Sequence, residues 1–164
     1  MLIPNLANAN DFAPESRVWV YTASRPLSDA EVRQAQGLLS QFVRQWTAHD
    51  RALKAAAEIF ERQFVILMVD ETQAGASGCS IDKSVHFLET LGQQLGVDLF
   101  ERMRFAWVQG QTLEFADRTK LNANVQNAVI QDHTLMVNTL VQSKKDLQQQ
   151  WLVPFAQSWH RRLV

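Results

Sequence analysis

The chain has 164 residues, 46% of them hydrophobic and 20% charged, with a formal net charge of −1. That balance describes one globular domain able to bury a core without metal or disulfide staples, and it excludes extended disorder. With no overall basic field to gather phosphate backbones, nucleic acid is disfavoured as a partner.

The single cysteine, Cys79, rules out an intrachain disulfide framework and a multi-cysteine metal cluster, and it suits a reducing compartment. The opening MLIPNLANANDF lacks the charged start and apolar core of a secretory signal. The longest apolar run, Phe64 to Val69, is far shorter than the ~20 residues a membrane helix needs. A cytoplasmic protein with no membrane partner is the expectation.

Residues 1–16, with two prolines and three asparagines, have no sustained period and are expected to form an irregular N-terminal arm. The α+β domain then spans 17–164. Val18 to Tyr21 have the β-branched and aromatic character of a strand. Ser28 and Glu31 form a capping box, flanked by Leu27 and Val32 as a hydrophobic staple. Ala35, Leu38, Leu39, Phe42 and Trp46 then recur at helical spacing. Residues 53–60 satisfy both helical propensity and strand alternation. The clear strand after them, QFVILMV, favours a strand that turns at Glu61–Arg62, since a lone strand would leave its edges unpaired.

After the loop 71–79, a helix is predicted from about Ser80 to Leu95, with Ile81, Val85, Leu88, Leu91 and Leu95 inward and Gly96 as its stop. RFAWV and TLEFA flank Gln109–Gly110 as a hairpin. Asp117 caps a short helix carrying Leu121, Val125 and Val129. A strand is expected over 134–141, then a short helix capped by Ser143 and Asp146, which Pro154 keeps from running into SWHRRLV. The order β-α-β-β-α-β up to Val108 predicts a ferredoxin-like, split-βαβ antiparallel sheet with helices on one face and C-terminal additions. Such domains also associate through a sheet face, which leaves a homodimer open, but a fold of this kind hosts many unrelated functions and does not select one.

Chemistry concentrates in Asp70-Glu71-Thr72-Gln73-Ala74-Gly75-Ala76-Ser77-Gly78-Cys79-Ser80-Ile81-Asp82-Lys83-Ser84, joining a buried strand to a helix N-terminus. With VWVY, WTAH, GASGCSIDKSVHF, GVDLFERMRF and VPFAQSWHRR, this block resembles a small family of uncharacterised bacterial proteins often labelled "ABC transporter ATPase". The resemblance spans roughly Arg17 to Arg162 and implies one coherent domain. The residues do not suit the label. A P-loop needs G-x-x-x-x-G-K-[ST], whereas Asp82 stands where the second glycine must be, and Gly78 is one residue too close to Lys83.

Free N–H groups at the helix start, with Gly75, Ser77, Gly78, Ser80 and Lys83, could instead bind a small anionic ligand. The bland alternative is that Ser77 or Ser80 merely caps the helix, and Asp82 in its first turn competes for the same positive potential. A thiol at a helix N-terminus with Lys83 one turn on is a candidate nucleophile or redox group. His86 lies two turns up the same face, too far for direct contact, so a base would come from His49, His133 or His160. A lone cysteine is more often a buried apolar residue. The four histidines show no HExxH and no i,i+4 pair, so no metal site is expected, and no cofactor motif is present. Asp70 and Glu71 read as a solvated strand end. Trp151, Trp159, His160, Arg161 and Arg162 could stack on a base, although packing over the domain is the simpler use. The expected function is a small-ligand-binding or protein-interaction module centred on 75–84, with a Cys79-dependent enzyme as the alternative.

Overall fold

A computed structural model describes residues 2–164. The fold is mixed α+β, with antiparallel sheets and, among the described residues, four α-helices. Strand β1 (Arg17–Thr22) leads to α1 (Asp29–Gln45), and a small ladder β2 (Thr47–Ala48) with β3 (Arg51–Ala52) precedes β4 (Lys54–Phe60) and β5 (Phe64–Asp70). Helix α2 (Gly78–Leu95) follows, then the hairpin β6 (Phe105–Gln109) and β7 (Thr112–Ala116). Helix α3 (Arg118–Gln126), β8 (Leu135–Val137), α4 (Lys144–Gln149) and β9 (Leu152–Pro154) complete the order, with 3-10 turns at 155–157 and 159–163.

The first sheet has the order β1-β5-β4, both pairs antiparallel. Residues 54–60 are therefore a strand, returning through Glu61 and Arg62 at positive φ of 52° and 60°. All seven residues of β5 are buried, which explains an apolar run without alternation. Val65, Leu67 and Val69 pack under α1 and α2 with Leu39, Leu88 and Leu91. Phe64, Ile66 and Met68 pack on the opposite side with Ala106, Val137, Leu147 and Trp151.

A ferredoxin-like sheet would carry 105–109 as its fourth strand, beside β1. That strand belongs instead to a second sheet of order β7-β6-β8-β9. The edge of β1 is taken by other chain: Val18 N–H donates to the Gln142 carbonyl (3.0 Å), Lys144 N–H to that of Ser16 (2.8 Å) and Glu101 N–H to that of Thr22 (3.0 Å). The second sheet has Phe115, Ala106 and Val137 against the first sheet, and Phe105, Trp107 and Met136 against α3 and the C-terminal turns. The first sheet thus lies between the two helices and the second sheet, and the second has α3 and the C-terminal turns on its other side, with Thr112, Glu114 and Leu135 exposed.

Smaller differences have local causes. The strand expected over 134–141 stops at Val137, because Asn138 turns the chain, its Oδ1 accepting from Leu140 N–H. Val129 lies beyond α3 and is exposed. Strand β9 was not expected, and its short ladder ends at Pro154. The N-terminal arm is irregular apart from a 3-10 turn at 7–9, yet Leu6, Ala9 and Phe12 are buried in the core.

Candidate functional site

Helix α1 opens with the capping box of Ser28 and Glu31, and Arg25 grips both carboxylate oxygens of Glu31 at 2.9 Å. That pair holds the Glu31 carboxyl at about 2, well below the usual carboxylate range. Arg25 also donates to the Leu95 carbonyl at the far end of α2 (2.9 Å). At the near end, Trp46 Nε1 donates to the Ser80 carbonyl (2.8 Å), inside the protein. The two helices are therefore tied at both ends of their contact, and α2 presents a fixed outer face.

The tip of α2 is capped in part by its own side chains. Ser77 Oγ accepts from Ser80 N–H (3.2 Å), and Ser80 Oγ accepts from Ser77 N–H (2.7 Å), so both serines act in one capping box that begins the helix at Gly78. Glu71 Oε2 accepts from Ala76 N–H (2.8 Å), one residue before the cap, which sets a carboxylate beside the helix start. A Cβ at Gly75 would lie 3.0 Å from Glu71 Oε2, so the carboxylate would have to shift to admit a larger residue there. Gly78 borders open space and has no such constraint. Gly75, Ser77, Gly78 and Ser80 form the cap.

Asp70 is not a solvated strand end. It is 3% exposed and accepts from Ala13 N–H (3.0 Å), Thr72 N–H (3.0 Å) and Thr72 Oγ1 (2.7 Å), with Lys54 Nζ at 3.7 Å. These donors, Thr72 foremost, hold its carboxyl down at about 2. Its role is to clasp the arm and the loop after β5.

Beyond the cap, Cys79, Asp82, Lys83, His86, Phe87 and Thr90 share the outer face of α2, where they border a shallow groove wide open to solvent. Cys79 is exposed, against the expectation of a buried apolar thiol. Seven residues of helix rise about 10.5 Å, so His86 shares the groove with Cys79 without reaching its sulfur. Of the other histidines, His160 is buried in a different cluster against Phe105 and Trp159, His133 is on a separate segment, and His49 is exposed just after β2, which packs against α2. Among the described residues, no group of three or more His, Cys, Asp or Glu converges as a metal site.

The groove has an aromatic underside. Phe87 stacks on Phe42 with centroids 4.5 Å apart, Phe42 meets Trp46 at 5.2 Å, and Trp46 meets Trp19 at 6.0 Å. Arg17 lies over the Trp19 ring at 4.8 Å and its Nε is 3.8 Å from Glu71 Oε1. One row of contacts therefore joins the cap to the groove. Phe87 and Thr90 were missed as site residues. The signal was available, because the residues complementary to the inward stripe of α2 recur outward at the same three- and four-residue spacing.

The aromatic-basic tail packs onto the domain, with Trp151 and His160 buried and only Arg161 and Arg162 fully outside. No family model, curated protein or solved structure matches the chain.

Proposed function

We propose that this protein is a small-ligand-binding module whose recognition surface is the outer face of α2, where Cys79, Asp82, Lys83, His86, Phe87 and Thr90 line one groove. The observation that carries this reading is that groove's composition: a half-buried aromatic ring, Phe87, braced by Phe42, beside the cation Lys83. An apolar body lies on Phe87 while an acidic group meets Lys83, which makes a small amphipathic anion the fitting ligand class. Of the residues expected to hold an anion, Gly75, Ser77, Gly78, Ser80 and Lys83, the two serines are engaged in the cap, and Lys83 supplies the charge on this face. The alternative, a thiol enzyme, is favoured by the exposure of Cys79, but its nearest histidine along the helix lies two turns away.

The GASGCSIDKS block supports membership of the bacterial family named above, in the reducing cytoplasm, without ATP hydrolysis, since Asp82 replaces the P-loop glycine. We read β1, α1, β4 and β5 with α2 as a split-βαβ core carrying the second sheet as an addition on its other face.

Isothermal titration with 4-phenylbutyrate and its neutral amide tests the reading. Saturable binding of the acid is expected, weakened about tenfold for the amide and in Lys83→Ala, as for one lost charged contact, and further in Phe87→Ser. Equal heats for acid, amide and both variants would refute it.

A further inference from the structure

A second groove borders the far end of α2, between its last two turns and the segment 97–100 that folds back beside them. Gly96, at φ 66°, makes that reversal. Val97 and half-buried Phe100 offer the groove apolar surface, with Leu88 and Leu99 buried beneath. The returning segment is pinned. Ser24 N–H donates to the Asp98 carbonyl (2.8 Å), Asp98 N–H donates to Ser24 Oγ (3.1 Å), and Phe100 meets Tyr21 edge-on with centroids 5.3 Å apart.

The charge around this groove has one sign. Glu89 on the helix and Asp98 on the returning segment are exposed, and no Lys, Arg or His belongs to the lining. Among the described residues, neither carboxylate is in a salt bridge. Asp98 Oδ1 accepts from Phe100 N–H (2.8 Å), which fixes the carboxylate and leaves Oδ2 without a protein donor. Arg25, the cation at this end of the helix, is held by Glu31 and by the Leu95 carbonyl. The aligned carbonyls of a helix C-terminus favour positive charge in the same place. Two carboxylates do not make a metal site, and among the described residues no third His, Cys, Asp or Glu joins them. An exposed ion pair by itself is worth little, so the fitting occupant carries apolar surface as well as its charge.

We propose that this groove binds a small amphipathic amine, its ammonium drawn by Glu89 and Asp98 and its hydrocarbon body laid over Val97 and Phe100. Residues 88–96 rise about 12 Å, which suits an aryl-alkyl amine and admits only about three or four residues of extended peptide. The site goes beyond the reading of the Lys83 groove. The two share no lining residue, select opposite charges, and stand or fall separately.

The test titrates the full chain with 4-phenylbutylamine and with its neutral counterpart 4-phenylbutan-1-ol, followed by residue-resolved NMR. The amine is expected to saturate, with shifts centred on Gln93, Val97, Asp98 and Phe100, all outside the Lys83 groove. The alcohol should bind about fivefold more weakly, the worth of one exposed ion pair. Glu89→Gln and Asp98→Asn should each weaken the amine and leave the alcohol unchanged. The asparagine keeps the Oδ1 that accepts from Phe100 N–H, so the segment stays in place. Binding of 4-phenylbutyrate at Lys83 is read from other residues, so either site can fail without the other. Absence of saturable amine shifts, shifts centred on residues 79–87, equal binding of amine and alcohol, or amine binding undiminished in both variants would overturn the proposal.

Discussion

Gly92 sits on the inner side of α2, where a Cβ would lie 2.7 Å from the Val97 backbone carbonyl. The helix C-terminus folds back there, with Val97 N–H donating to the Gly92 carbonyl (2.9 Å) and Gly96 at φ 66°. Gly92→Ala gains helix propensity but forces the backbone apart, and overpacking of this kind costs about 1–3 kcal/mol. We expect a lower urea midpoint with an unchanged slope, and a midpoint at or above wild type would contradict the close approach. Cys79 gives the opposite kind of residue-scale prediction. Because it is exposed, iodoacetamide should alkylate it in the folded protein without denaturant. Labelling that waits for unfolding would return Cys79 to the core.

At the scale of elements, the helix starts were the most legible feature of the chain. Ser28 with Glu31, Asp117 and Ser143 act as caps where the spacing of side-chain acceptors indicated, since capping is local in sequence. At α2 the box is Ser77 with Ser80, and Ser77→Ala removes its outer half. The expected loss is about 0.5–2 kcal/mol by thermal or chemical melting, and no loss would show that the Ser77 hydroxyl adds nothing to the helix start. Strand pairing was less legible. Nothing in FAWVQ says that it will join β8 and not β1, because the choice rests on residues 142–144 occupying β1's edge from far along the chain. The outer edge of β4 was equally silent. Gln36 of α1 closes it, its amide donating to the Ala57 carbonyl and accepting from Ile59 N–H, each at 3.1 Å, as a neighbouring strand's peptide would. The candidate groove was half legible: Cys79, Lys83 and His86 came from their chemistry, whereas Phe87 passed as ordinary helix until its stack with Phe42 was in view.

Across the whole molecule, the N-terminal arm behaves as part of the core. Lys144 Nζ donates to the carbonyls of Ala9 (2.9 Å), Asn10 (3.2 Å) and Phe12 (2.8 Å), while Asp70 receives Ala13 N–H. Lys144→Met should cost about 1–3 kcal/mol, as for hydrogen bonds to a charged group, and should raise hydrogen exchange along residues 6–13. Unaltered exchange there would detach the arm from the core. The Asp70 clasp has a defined pH dependence. Its folded pKa, about 2, is below the ordinary carboxylate value, so its contribution is present above the unfolded value near 3.8 and is lost as pH falls through about 2. Asp70→Asn should remove that part of the acid transition. With the arm built into the core, the outer face of α2 is the surface on which the functional reading rests. Residue-resolved NMR during titration with 4-phenylbutyrate tests it most directly. The account predicts saturable shifts confined to residues 79–90, strongest at Lys83 and Phe87, with the capping residues 71–77 unmoved. Shifts centred on 71–77, or none at all, would contradict it.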